Sequence, residues 1–248
     1  MQDFIVLIPS RMESTRLPGK PLKKIGNKTL IQRVYEQASK SDAERVLVAT
    51  DSEKIISHCS ENNIDTVLTR SDHRTGSDRL AEAVEILNLE DSQVIVNVQG
   101  DEPFIDPTDI NNLYHLTVNK NSNMATLYST LNSRDVQNQN VVKLWIQDDG
   151  RVIDFSRKIN NKEHINQAKM HLGIYAYRVS FLKQFVKWSQ SVQEVERQLE
   201  QMRAMDNQEA IYAKKSISAF HIGIDTKEDL QAARKFLSEY NKPIVDYF

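Results

Sequence analysis

The chain has 248 residues, with 32 Lys and Arg against 34 Asp and Glu, a balance that provides no general nucleic-acid surface and makes any anion site local. No run reaches the roughly eighteen apolar residues needed to cross a bilayer, and Met1-Gln2-Asp3 leads into a short apolar strand rather than a signal peptide, so the expectation is a cytoplasmic protein without membrane insertion.

Residues 4–8 form a short apolar run closed by Pro9, which predicts a buried parallel strand. The polar loop that follows carries Arg11, Arg16 and Lys20 with only Glu13 opposing them, and Pro18-Gly19 supplies a turn. Arg presents a planar fork to phosphate oxygens and Lys a movable point charge, so the loop suits a phosphate chain. A solvated basic connection is the plainer alternative. Neither the Walker spacing nor G-x-G-x-x-G occurs.

Leu30, Ile31, Val34, Tyr35 and Ala38 recur at helical spacing, with Thr29 as the expected cap. A strand over 45–49, a helix with Ile55 and Ile56, and a strand over 66–68 complete an alternation that predicts βαβ units and a mostly parallel sheet. The helix also carries Cys59, a lone thiol that cannot form an internal disulfide. The six histidines have no zinc-ligand spacing, so a metal here would be a hard cation on carboxylates. In such sheets ligands sit beyond the carboxyl ends of the strands.

The segment Asp72-His73-Arg74-Thr75-Gly76-Ser77-Asp78-Arg79 opens a helix carrying Leu80, Val84 and Leu87. Ser77 or Asp78 is the expected cap, and Gly76 permits close backbone approach. Residues 94–98 give the strongest buried-strand signal and run into Gln99-Gly100-Asp101-Glu102-Pro103. A carboxylate there is placed either to hold a divalent cation or simply to shape a turn.

From Met124 the pattern shifts to alternating stretches: strands are predicted over 125–131, 141–146, 151–157 and 171–177, with Asp148-Asp149-Gly150 as a hairpin turn and 158–169 as a mobile surface loop. One charged helix is expected over 193–205 and a strand over 216–220. Gly223-Ile224-Asp225-Thr226 leads into a last helix containing Leu230, Ala233 and Leu237, with Thr226 as cap. The tail 241–248 is read as docking on the body or on a partner.

The run Pro9-Ser10-Arg11-Met12-Glu13-Ser14-Thr15-Arg16-Leu17-Pro18-Gly19-Lys20-Pro21 resembles the signature loop of sugar nucleotidyltransferases, in the form found in the CMP-Kdo synthetases (3-deoxy-manno-octulosonate cytidylyltransferases). Gln99-Gly-Asp-Glu-Pro, Phe155-Ser156-Arg157, His171-Leu-Gly-Ile-Tyr175, Leu199-Glu200-Gln201-Met202-Arg203 and Gly223-Ile-Asp-Thr are similar to further motifs of that family, so the resemblance runs from Phe4 to about Leu237. It implies an α/β fold with a mostly parallel, Rossmann-like sheet. One nucleotidyltransferase domain would span 1–248, with a nucleotide lobe of 1–123 plus 206–248 and a smaller mixed lobe of 124–205 for sugar binding and dimerisation.

The resemblance further implies an Mg2+-dependent transfer of CMP from CTP to the anomeric hydroxyl of 3-deoxy-D-manno-octulosonate (Kdo), an acidic 2-keto-3-deoxy sugar, within lipopolysaccharide synthesis, by a homodimer. Lys20, Asp101 and Asp225 would be catalytic, with both aspartates on the metal. Pro9, Ser10, Arg11, Arg16, Lys20, Thr75, Gly76 and Ser77 would bind the nucleotide. Gln99, Arg157, His171, Tyr175, Glu200 and Gln201 would bind the sugar. The second lobe departs from the family's pattern: Asp154 stands where an aromatic residue is usual, Phe155-Ser156-Arg157-Lys158-Ile159-Asn160 stands where a proline-bearing Phe-Ser-Arg-x-x-Ile-Pro segment is usual, and Arg197 replaces a frequent glutamate. Rival readings are a cytidylyltransferase for another acidic sugar, such as 8-amino-Kdo or a nonulosonate, and a nucleotide-binding regulatory protein without turnover.

Overall fold

Strand β1 (Phe4–Ser10) sits inside the sheet because both of its faces are apolar. The computed structural model describes residues 4–159, 162–218, 221 and 223–240, leaving aside the side chains of 162–164 and 240. A two-stranded hairpin, β2 (Lys24–Ile25) and β3 (Lys28–Thr29), leads to α1 (Leu30–Ala38). Thr29 caps α1 as expected, its hydroxyl accepting from the Gln32 amide while the Gln32 side chain accepts from the Thr29 amide. Then come β4 (Arg45–Thr50), α2 (Glu53–Glu61), β5 (Thr66–Leu68), α3 (Gly76–Ile86), β6 (Val94–Asn97), α4 (Pro107–Asn119) and β7 (Met124–Thr130).

The hairpin β8 (Lys143–Ile146) and β9 (Val152–Ser156) turns at Gly150, whose φ of +87° suits glycine. A short 3-10 turn, Lys162–Gln167, lies within the segment read as a surface loop. The remaining elements are β10 (Lys169–Arg178), α5 (Val179–Phe185), α6 (Val192–Arg197), α7 (Met202–Asp206), β11 (Ile211–Lys215) and α8 (Lys227–Tyr240).

Among the described residues the main sheet runs β11-β7-β10-β6-β1-β4-β5, with β8 pairing to β10 and β9 to β8. The ladders β6-β1, β1-β4, β4-β5 and β11-β7 are parallel, and β10 is antiparallel to both neighbours. This is the α/β, mostly parallel sheet that the sequence implied. β7 and β10 are strands of the same sheet as β1, and only the β8-β9 hairpin leaves its main path.

Alternation along β1 feeds two cores. Phe4, Val6 and Ile8 pack with Leu30, Ile31 and Val34 of α1 and Ile110 and Leu113 of α4. Ile5 and Leu7 pack with Leu80 and Val84 of α3 and Phe181 and Leu182 of α5. Each such side chain contributes about 1.5–3 kcal/mol on burial, so helices on both faces hold β1 rigidly and fix where its carboxyl end points.

Three local expectations are corrected. The cap of α3 is Thr75, not Ser77 or Asp78: its hydroxyl accepts from the Asp78 amide, and Asp78 returns the bond. The single helix over 193–205 is two, because Gln198 adopts a left-handed φ of +53° and ends α6 before α7 begins. The strand expected over 216–220 lies earlier, at β11, because the buried Asp109 carboxylate captures the Ser216 hydroxyl and the Ile217 amide and draws the chain off the ladder. Ala219, Phe220 and the tail 241–248 lie outside the described residues.

Candidate active site

Beyond the carboxyl ends of β1 and β6 lies a cavity of about 480 Å³ lined by Pro9, Ser10, Arg11, Arg16, Lys20, Thr75, Gly76, Gln99, Asp101 and Asp225, among others. Parallel pairing of β1 with β6 sets the two loops side by side. Their approach depends on Gly100, where an added Cβ would lie 2.8 Å from the Pro9 carbonyl oxygen. Gly19 in the left-handed region, with buried Leu17 and Pro21 on either side of it, anchors the basic loop and starts the 3-10 turn that carries Lys20.

Lys20 Nζ donates to Asp101 Oδ2 at 2.8 Å and to Asp225 Oδ1 at 3.1 Å. Arg16 Nη2 meets Asp225 Oδ2 at 2.9 Å. A backbone bond places Asp225 there: the Ile224 amide donates to the Asp101 carbonyl at 3.0 Å. Asp229 of α8 then accepts from the amides of Asp225 and Thr226, while Thr226 caps the helix as expected. Burial disfavours the Lys20 ammonium, but Asp101 and Asp225 outweigh it and raise its pKa above the ordinary lysine value. Beside them, burial and then the charges of Asp101 and Asp225 push the Glu102 carboxyl up to about 7, against the pull of Lys20.

Ser10 Oγ is buried in this wall without a hydrogen-bond partner among the described residues. Arg79 is buried behind the cavity, held by Thr69 Oγ1 and, at 3.4 Å, by Asp51. His73 also lines it and is hydrogen-bonded to Glu82 at 2.5 Å. Sequence reasoning had not singled out His73, Arg74 or Arg79, although they belong to the segment opening α3. No periodicity distinguishes them from helix-start residues.

Ser77 does not line the cavity but turns beneath it, where its hydroxyl donates to Glu200 Oε2 at 2.8 Å. Burial raises the Glu200 pKa against the hydrogen bonds of Ser77 and Thr75, and Glu200 Oε1 has no hydrogen-bond partner among the described residues, with Arg203 Nη2 3.8 Å away. His171 Nε2 is 3.0 Å from Thr126 Oγ1, and its ring centroid lies 5.0 Å from Phe155 and 5.4 Å from Tyr175. Burial there drives its pKa down to about 3. Gln99 bonds back to Asn97, the β6 residue that pairs with Tyr175. Gln201 is buried at the start of α7.

Gln99, Tyr175, His171 and Glu200 thus belong to the side of the sheet that underlies the cavity. Arg157 stands apart. It lines a second cavity of about 940 Å³, its guanidinium donating to the carbonyls of Gln139 and Gln198 and its Nε without a partner among the described residues.

Among the described residues no helix is long and apolar enough to cross a membrane, and no group of three or more His, Cys, Asp or Glu side chains is placed to hold a metal. Asp101 and Asp225 alone nevertheless converge on one cation. A pair of hard oxygen donors around a positive centre, beside a cationic wall, fits a magnesium ion that keeps waters and phosphate oxygens as its other ligands.

The sequence matches the cytidylyltransferase family over residues 5–217. It is 42% identical over 245 residues to a 3-deoxy-manno-octulosonate cytidylyltransferase of Photobacterium profundum, covering 94% of this chain and 99% of that protein. It is 37% identical over 251 residues to the protein of that name in Haemophilus influenzae, covering 95% and 99%. The fold superposes with a TM-score of 0.89 on CMP:2-keto-3-deoxy-manno-octonic acid synthetase complexed with CTP, at 31% identity and covering 96% of this chain and 99% of that one. A cytidylyltransferase of Leptospira borgpetersenii, at 19% identity with a TM-score of 0.66 over 97% of this chain and 88% of that one, shares the fold.

Proposed function

The chain belongs to the cytidylyltransferase family, and we propose that it transfers CMP from CTP to the anomeric hydroxyl of Kdo, releasing pyrophosphate and forming CMP-Kdo for lipopolysaccharide synthesis. The observation that carries this reading is the convergence of Lys20 on Asp101 and Asp225 in the wall of a cavity that also holds Arg11 and Arg16.

Nucleotidyl transfer asks little covalent chemistry of the protein. It asks for alignment of the attacking oxygen with the α-phosphate and for charge stabilisation as the phosphorus is attacked. Arg11 and Arg16 hold the triphosphate with paired donors, and Lys20 moves its point charge onto the phosphate oxygens. Ser10 supplies its unpartnered hydroxyl to the same chain. The start of α3 at Thr75 and Gly76 closes over the nucleoside, and Ser77 braces that helix end from below through Glu200. The sugar enters past Gln99 toward His171, Tyr175, Glu200 and Gln201. Bound by Asp101 and Asp225, Mg2+ supplies Lewis-acid stabilisation of phosphate charge and favours the ionised hydroxyl.

We extend the reading to a homodimer formed through 124–205 and working in the cytoplasm. The substrate is tested by pyrophosphate release with CTP and Mg2+ while Kdo, 8-amino-Kdo and a nonulosonate are compared at equal concentration. The highest kcat/KM with Kdo is expected. A higher value with another sugar keeps the transfer and overturns the sugar, and CTP binding without release from any of them favours a regulatory protein.

A further inference from the structure

Asp154 of β9 and Arg197 at the end of α6 meet in the fold. Arg197 Nη1 donates to Asp154 Oδ1 at 2.5 Å and to the Phe155 carbonyl at 2.6 Å. We propose that this ion pair is a positioning device that holds the sugar-recognition turn of this chain, and the proposal rests on the reading of the site as a Kdo cytidylyltransferase.

The residues on either side of the ion pair connect it to the site. Arg197 is the last residue of α6, where a cation also complements the helix carbonyls. The next residue, Gln198, has the left-handed φ that reverses the chain, and its carbonyl accepts from Arg157 Nη2 at 3.2 Å. Strand β9 and the residue after it therefore grip the end of α6 and its turn at three points: the Asp154 side chain, the Phe155 carbonyl and the Arg157 guanidinium. Immediately past the turn, Leu199 is buried and Glu200 reaches Ser77. On the other side of the grip, the Phe155 ring stands edge-on to His171, which abuts Tyr175. One clamp thus sets the relative placement of Glu200 and Gln201 on the turn and of His171 and Tyr175 on β10.

The pair is partly open to solvent, with side chains 30% and 40% exposed, so it contributes little to global stability. Its loss should displace the turn without unfolding the protein.

The test is steady-state pyrophosphate release by the full chain with Mg2+, varying Kdo and CTP separately, for wild type, Arg197→Ala, Asp154→Asn and Arg197→Lys. Removing a charge-assisted hydrogen bond on a binding turn is expected to raise KM for Kdo about tenfold in Arg197→Ala, with kcat and KM for CTP within about twofold. Asp154→Asn shifts the same constant in the same direction, and Arg197→Lys recovers most of the loss. An unchanged KM for Kdo in both Arg197→Ala and Asp154→Asn, or an equal rise in both KM values, overturns the clamp.

Hydrogen exchange separates this from failure of the functional reading. Faster exchange at the amides of Gln198 and Leu199 in Arg197→Ala, with the residue 4–10 amides unaltered, supports the clamp even if wild type proves inactive with Kdo. Unaltered exchange there overturns it.

Discussion

Lys20 donates a hydrogen bond from its ammonium to the Asp101 carboxylate at 2.8 Å, although the two lie 81 positions apart in the chain. The contact exists because β1 and β6 are parallel neighbours, so the loops leaving their carboxyl ends emerge together. The same lysine reaches Asp225, which the Ile224 amide ties to Asp101. Three distant segments therefore share one charge cluster, and the account of the chemistry stands on it.

Gly100→Ala tests the close approach that builds the phosphate wall. A Cβ at this position meets the backbone oxygen of Pro9, which is fixed in a buried strand and cannot swing away as a side chain would. The expected outcome is a loss of about 1–3 kcal/mol in stability by urea unfolding, the usual range for overpacking. CTP affinity should weaken as the Pro9-Ser10 wall is displaced, as titration calorimetry would register.

His171 gives a pH dependence of definite sign. Its folded pKa is pushed down to about 3 by burial, whereas an unfolded histidine titrates near 6.5. Between these values the unfolded chain binds the extra proton, so stability is lost as pH falls from about 6.5 toward 3. His171→Gln removes that contribution, and Tm measured from pH 7 to pH 4.5 should fall less steeply than in wild type. A parallel fall in both proteins would show that His171 is not held neutral.

Gln198 occupies a left-handed conformation that costs an L-residue roughly 1–2 kcal/mol. Gln198→Gly should therefore be neutral or stabilising by up to about 1 kcal/mol, whereas Gln198→Ile, branched at Cβ, should lower stability by about 1 kcal/mol or more. Urea midpoints for the two variants on opposite sides of wild type, or with glycine level with it, are the expected pattern.

Much of the fold was legible because apolar runs and helical spacing report burial directly: the wholly buried strand at 94–97 and the Thr29-capped helix emerge from the regions so read. Lys20, Asp101 and Asp225 were singled out because their motifs resemble those of the CMP-Kdo synthetases, and the fold brings the three side chains together. The break at Gln198 was not, since nothing in a glutamine announces a positive φ. Ser216 and Ile217 read as strand until Asp109, 107 residues earlier than Ser216, captures them. Arg157 follows directly on β9 and lines the second cavity, a placement that depends on tertiary packing and that its motif does not reveal.

The most direct measurement compares kcat for pyrophosphate release from CTP, Mg2+ and Kdo in wild type, Asp101→Asn and Lys20→Ala, with folding checked by circular dichroism. Losing a preorganised charge partner should lower kcat by roughly a hundred- to a thousandfold in each variant. Wild-type turnover from either folded variant would contradict the assignment of this cluster to the reaction.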